Sequence, residues 1–167
     1  AMLELGQNLF TRRAYAESKK WLGQGRETLD SDTVPAQPEA GARAREILER
    51  SLFGLGFIAF EEGDFAGAAA LLDRVLENPS SPLAPRAAFQ SGRALMKASN
   101  AADAAARFQK VADELKDRAG DLHEESLLRL GECFHQLQKY PDAIKVLDRE
   151  LKEYPEGALR HEARFAR

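Results

Sequence analysis

The chain has 167 residues, 44% hydrophobic and 31% charged, with a mean hydropathy of −0.45; this excludes a disordered tail, and no apolar run is long enough to span a membrane. Its 24 basic and 27 acidic residues leave a formal charge of −3, so no general affinity for nucleic acid and no direct membrane insertion is expected. A single cysteine, Cys133, excludes an internal disulfide.

Periodicity is helical almost throughout. In "ILERSLFGLGFIAF" the apolar or small positions Leu48, Leu52, Leu55, Gly56 and Ala59 recur at helical steps and share one face. Alternation of the strand type is missing, and alanine outnumbers the β-branched residues. Breakers divide the helices in chain order. They are a break near Arg12, a Pro-rich polar stretch from Asp30 to Gly41, "EGD" at Glu62 to Asp64, and "NPSSPLAP" from Asn78 to Pro85. "ASN" at Ala98 to Asn100, "RAGD" at Arg118 to Asp121, "QKYP" at Gln138 to Pro141 and "YPEG" at Tyr154 to Gly157 follow. The spacing predicts an all-α chain of about eight helices, each of roughly 11 to 19 residues, with the start of a ninth. Only the stretch from Asp30 to Gly41 is long enough to predict a mobile loop.

Four segments superimpose without a gap when aligned on a glycine. They are "MLELGQNLFTRRAYAESKKWLGQG", "LFGLGFIAFEEGDFAGAAALLDRV", "AFQSGRALMKASNAADAAARFQKV" and "LLRLGECFHQLQKYPDAIKVLDRE". The shared glycines are Gly6, Gly56, Gly92 and Gly131, at separations of 50, 36 and 39 residues. Such spacing fits a unit of about 34 residues with extra length in the connections.

These residues carry a resemblance to tetratricopeptide-repeat (TPR) proteins, whose unit is helix A, a tight turn and helix B. Positions 7 and 8 of the unit read Leu5-Gly6, Leu55-Gly56, Ser91-Gly92 and Leu130-Gly131. Position 20 is Ser18, Ala68, Ala104 and Ala143, and position 24 is Leu22, Leu72, Phe108 and Leu147. An aromatic follows the turn as Tyr15, Phe65 and Tyr140, with Ala101 the exception, and Pro155 falls on position 32 of the last unit. Position 27 departs from the family's alanine with Val75, Val111 and Glu150, and Lys116 stands where the third unit should carry proline. Ala59 is small at the usually bulky position 11.

The resemblance implies an α-solenoid of helix-turn-helix repeats coiled into a right-handed superhelix. The expected layout is repeat 1 over 1–30, a loop over 31–42, repeat 2 over 43–79, repeat 3 over 82–117 and repeat 4 over 121–155. Residues 156–167 read as a fifth helix A cut before its glycine, so a piece of a longer array is expected. A glycine at position 8 lets the partner helix cross closely, because it has no Cβ to be accommodated there.

Gly54-x-Gly56-x-x-Ala59 satisfies the dinucleotide-binding pattern, but that pattern needs a preceding strand, and the upstream "REILERSLF" is helical. Cys133 and His135 are two apart on a helix and diverge, so they form no ligand pair. His123 and His161 have no partner in sequence, and neither completes H-E-x-x-H. No cofactor, metal or catalytic residue is expected, and Cys133 reads as a small buried residue.

Phe53, Phe57 and Phe60 occupy positions 5, 9 and 12, a second apolar stripe around helix A. In the TPR family these positions line the concave groove that receives a peptide or helix. Phe89 and Met96 stand at matching sites of the third unit, and Arg93 and Lys97 add basic groups. Arg50, Arg86 and Arg129 extend that rim. The stripe either faces a ligand or packs against the next unit. Position 9 reads Gln7, Phe57, Arg93 and Glu132, which does not reproduce the family's carboxylate clamp.

The resemblance implies a non-catalytic scaffold that binds a protein or peptide partner, with Phe53, Phe57, Phe60, Phe89, Arg93, Met96 and Lys97 as contacts. The alternatives are a structural spacer within a longer array and a regulatory region of a larger multidomain protein. Self-association through the cut end is a further expectation. The Pro-led connections are similar to those of bacterial cell-envelope TPR proteins of outer-membrane assembly and the Tol-Pal system, which tilts the expectation toward the periplasm or cell envelope over the cytoplasm without fixing the compartment.

Overall fold

The computed structural model describes residues 15–30 and 38–167. The expected break near Arg12, the first helix A with Gly6, and residues 31–37 of the expected loop lie outside them. The described chain is all helical and divides into two compact units at Leu83–Ala84.

The first unit holds α1 (Tyr15–Asp30), α2 (Pro38–Glu61) and α3 (Phe65–Val75). Helix α2 packs against both α1 and α3. It begins at Pro38, ahead of the repeat start expected at residue 43, so the loop does not reach Gly41. Proline suits that first helical position, because its fixed φ is already helical and the missing N–H would have had no acceptor. Leu22 of α1 meets Leu55 and Ile58 of α2 in the core, with Leu71 of α3 packed alongside. Beyond α3 the chain is tied back to α2 by a buried carboxylate: Glu49 accepts from Asn78 Nδ2 at 2.7 Å and Ser81 Oγ at 2.6 Å.

The second unit holds α4 (Ala84–Lys97), α5 (Ala101–Asp113), α6 (Lys116–Ala119), α7 (Leu122–Gln136), α8 (Tyr140–Glu153) and α9 (Arg160–Ala166). Packing is successive, α4 on α5, α5 on α7, α7 on α8, and α9 on both α8 and α7. Phe89 and Phe108 meet edge to face at 5.6 Å between ring centroids. Leu128, Leu147 and Ala163 form the core at the α9 end, with Leu151, Leu159 and Ala166 packed against it. The short α6 has no counterpart in the sequence reading. Lys116, at the place where the repeat would carry proline, is the first residue of this extra turn, which ends at Gly120 with a positive φ of 55°.

The helix pairs cross where the aligned glycines lie. A Cβ added at Gly56 would sit 2.7 Å from Leu72 Cγ, at Gly92 2.8 Å from Phe108 Cζ, and at Gly131 2.7 Å from Leu147 Cδ2. Position 8 of helix A thus receives the large residue at position 24 of helix B, and Ala68, Ala104 and Ala143 are buried beside the crossings.

Three turns close in the same way. The N–H groups of Asp64, Asn100 and Lys139 reach back to Ala59, Leu95 and Phe134, five residues earlier. The residue before each lies in the left-handed region: Gly63 at φ 85°, Ser99 at 60° and Gln138 at 59°. This is the helix-ending arrangement that satisfies orphan carbonyls of the last turn. Asp64 and Asn100 then cap the next helix, accepting from the N–H of Gly67 at 2.9 Å and of Asp103 at 3.3 Å.

Candidate functional site

The residues of the expected groove stand on α2 and α4. On α2, Leu52, Leu55, Ile58 and Ala59 are buried, while Phe53, Phe57 and Phe60 remain partly exposed on the neighbouring face. Phe60 is committed to the turn, with its ring meeting Phe65 edge-on at 5.3 Å. The same contact recurs in the last hairpin, where His135 meets Tyr140 at 5.3 Å. Position 12 therefore braces the turn against the aromatic that follows it. That signal was present in sequence as two aromatic-ring pairs, each five residues apart across a turn.

Phe89 corrects the expected surface. It is 3% exposed and packs on Phe108, because position 5 of α4 turns into the core. Leu128, at position 5 of α7, is likewise buried. On α4, Met96 is partly buried and Arg93 and Lys97 are exposed.

Much of the expected basic rim is paired along its own helices. Arg50 meets Glu46 at 2.6 Å, and Arg93 Nη1 donates to Gln90 Oε1 at 3.1 Å. Arg129 lies 3.0 Å from Glu132 and 3.5 Å from Glu125. Burial works against the Arg129 cation, but its bonds to Glu132 and Glu125 carry its pKa above the ordinary arginine value. The carboxylates paired with Arg50 and Arg129 reduce the net positive field expected of this surface.

Two of the depressions among the described residues lie elsewhere. One of about 440 Å³ in the first unit is lined by Arg45, Leu48, Glu49, Leu52, Arg74, Glu77 and Asn78. Of its two acidic groups, Glu49 is already held by Asn78 and Ser81. The other, about 290 Å³ in the second unit, lies over Leu130, Phe134 and Val146 with Asp113, Asp142, Lys145 and Arg149 at its edge. There Arg149 is engaged by Asp113 at 2.6 Å and Glu153 at 2.8 Å. The hydrogen bond that Arg149 donates to Glu153, opposed by burial and aided by Asp113, raises the Arg149 pKa and lowers that of Glu153.

Cys133 is fully buried, and burial pushes its thiol up to about 12. A thiol held protonated is a poor nucleophile and a poor metal ligand, in keeping with its reading as a packing residue. Among the described residues no three histidine, cysteine or acidic side chains come together as a metal set. Gly54 and Gly56 lie inside α2 rather than in a strand-to-helix turn, and a Cβ at Gly54 would stand 3.0 Å from Leu22 Cδ1. Both glycines therefore serve helix packing.

His123 is the residue whose role sequence reasoning missed. It is 4% exposed, with Nε2 3.0 Å from the Ala112 carbonyl and Nδ1 2.6 Å from Tyr154 Oη. The carbonyl can only accept, so Nε2 donates to it; in the neutral ring Nδ1 then accepts from the tyrosine hydroxyl. The histidine thereby joins the end of α5 to the end of α8.

Helix-turn-helix units with small residues at the three crossings within repeats and a common turn closure define a helical repeat protein. The tetratricopeptide repeat family model matches residues 53–120 and again 90–158, and the chain belongs to that family. Tetratricopeptide repeats are protein-interaction modules, typically without catalytic activity. No curated protein matches the chain.

Proposed function

We propose that this chain is a non-catalytic scaffold and that its first unit takes an apolar side chain of a peptide or helical partner against Phe57, with Phe53 one helical turn away. The observation that carries this reading is the partial exposure of two phenylalanines on the face of α2 adjoining its buried stripe. Isolated exposed apolar residues are ordinary, but two aromatic side chains aligned at i, i+4 make a continuous apolar strip against which an apolar anchor of a partner can pack. In the family, these positions face the ligand. Phe60 is a brace for the turn rather than a primary contact, and Phe89 belongs to the core. Arg93, Met96 and Lys97 on α4 form a separate candidate contact of mixed apolar and basic character.

The test selects binding peptides from a display library and measures their affinity for parent and variant proteins. Phe57→Glu is expected to weaken binding by about 2 kcal/mol or more, the scale of an aromatic hot spot, with an unchanged melting temperature. Phe60→Glu is expected to lower the melting temperature, since it removes the contact with Phe65. Unchanged binding by Phe57→Glu would remove α2 as the binding face. A lowered melt for Phe57→Glu would place that ring in the core.

A further inference from the structure

Position 27 of the repeat carries Val75 in α3, Val111 in α5 and Glu150 in α8, and all three are fully buried. For the valines this is ordinary core packing. Both carboxylate oxygens of Glu150, by contrast, lack a hydrogen-bond partner. An ionised carboxylate in such a place has no compensating cation or hydrogen-bond donor beside it, so burial favours the neutral acid.

The charged groups around it deepen that preference. From α7, Glu124 faces Glu150 and adds a like charge. His123 on the same helix is taken up by the Ala112 carbonyl and Tyr154. On α8 itself, Arg149 is turned to Glu153 and to Asp113 of α5. On α9, Arg160 bonds Glu156 and the Pro155 carbonyl, Arg167 pairs with Asp148, and His161, Glu162 and Arg164 are exposed.

Glu124 is also the anchor of α9. Its Oε1 accepts the N–H of Leu159, the residue that opens α9, at 3.0 Å. The turn leading there runs tightly past it, since a Cβ at Gly157 would fall 2.2 Å from the same oxygen. From this start α9 places Ala163 on Leu128 and Leu147.

We infer that Glu150 is a proton-operated latch for α9: with the carboxyl neutral the helix stays docked, and ionisation loosens it. Ionisation sets two carboxylates against each other inside the unit, and Glu124 is the one that holds the start of α9. Helix α9 is seven residues long with Ala163 as its buried residue, so its movement admits water at a small loss of buried surface.

The sign follows from the direction of the shift. Burial, with Glu124 adding to it, raises the Glu150 pKa above its value in an unfolded chain. Its support for docking is therefore complete below the ordinary glutamate range and lost as pH rises through the higher folded value. Glu153 has the opposite slope. The hydrogen bond from Arg149 lowers its pKa, so its support is present above the ordinary range and fades on acidification. Loosening on the alkaline side thus distinguishes Glu150 from its neighbour.

The experiment is amide hydrogen exchange of residues 159–166 between about pH 5 and about pH 8, corrected for intrinsic exchange. In the parent protein the protection of α9 is expected to fall by about tenfold or more as pH rises, while α4 to α8 keep theirs. Glu150→Gln is expected to give a flat profile. Glu124→Gln, whose amide oxygen still accepts from Leu159, should move the transition to lower pH. A flat parent profile, or the parent's slope retained in Glu150→Gln, would overturn the latch. So would equal loss across all helices of the unit, since that is global destabilisation. If Glu150→Gln does not fold, Glu150→Ala carries the same expectation with less bulk at the site.

Discussion

A missing Cβ decides three of the helix crossings. At Gly92 an added carbon would fall within van der Waals contact of three atoms of the Phe108 ring, which is itself fixed by Phe89. Gly92→Leu is therefore expected to destabilise by about 1–3 kcal/mol through overpacking, read as a lower melting temperature. Gly56→Leu should act in the same direction, because the fully buried Leu72 and the Ala68 carbonyl stand 2.7 and 3.3 Å from the added carbon. The Gly–Leu and Gly–Phe pairs were legible in sequence because their spacing repeats from unit to unit. His123 was not, since its partners lie 11 and 31 residues away and one of them is a backbone carbonyl. Tyr154→Phe leaves Nδ1 of that buried ring without its hydroxyl partner and should cost about 1 kcal/mol, measurable by urea denaturation.

At the level of helices and turns, the same closure is built with different residues. Gly63 adopts its positive φ without strain, whereas Ser99 and Gln138 adopt similar values with a Cβ present. Gly63→Val is expected to lose about 1–2 kcal/mol, seen as a lower denaturation midpoint with an unchanged slope. Asp64→Ala removes the cap on Gly67 N–H and should lose about 1 kcal/mol. The turns themselves were legible from their breakers. Two boundaries were not. Proline before a polar run reads as loop in sequence, yet at the first turn of a helix it is tolerated, and α2 begins at Pro38. The extra turn that begins at Lys116 is only four residues long, too short to leave a periodic signal in sequence.

For the molecule as a whole, contacts run between successive helices within each unit, the arrangement in which stability is a sum of local and nearest-neighbour terms. Gly131→Leu is therefore expected to reduce hydrogen-exchange protection in α7 and α8 while α2 and α3 retain theirs. Uniform loss in all helices would show instead that the chain unfolds as one cooperative body. The repeat class, the crossings and the turns follow from sequence alone, because each depends on residues a few positions apart or on a pattern that recurs along the chain. Which apolar side chains remain accessible was decided only by tertiary packing. Phe57 and Phe89 belong to one expected stripe, but Phe89 has Phe108 against it and is withdrawn from solvent, while Phe57 keeps a partly open face. The fate of Glu150 was likewise invisible in the repeat pattern. A carboxylate's cost is set by the water and charges around it, and those come from helices that meet only in the folded chain.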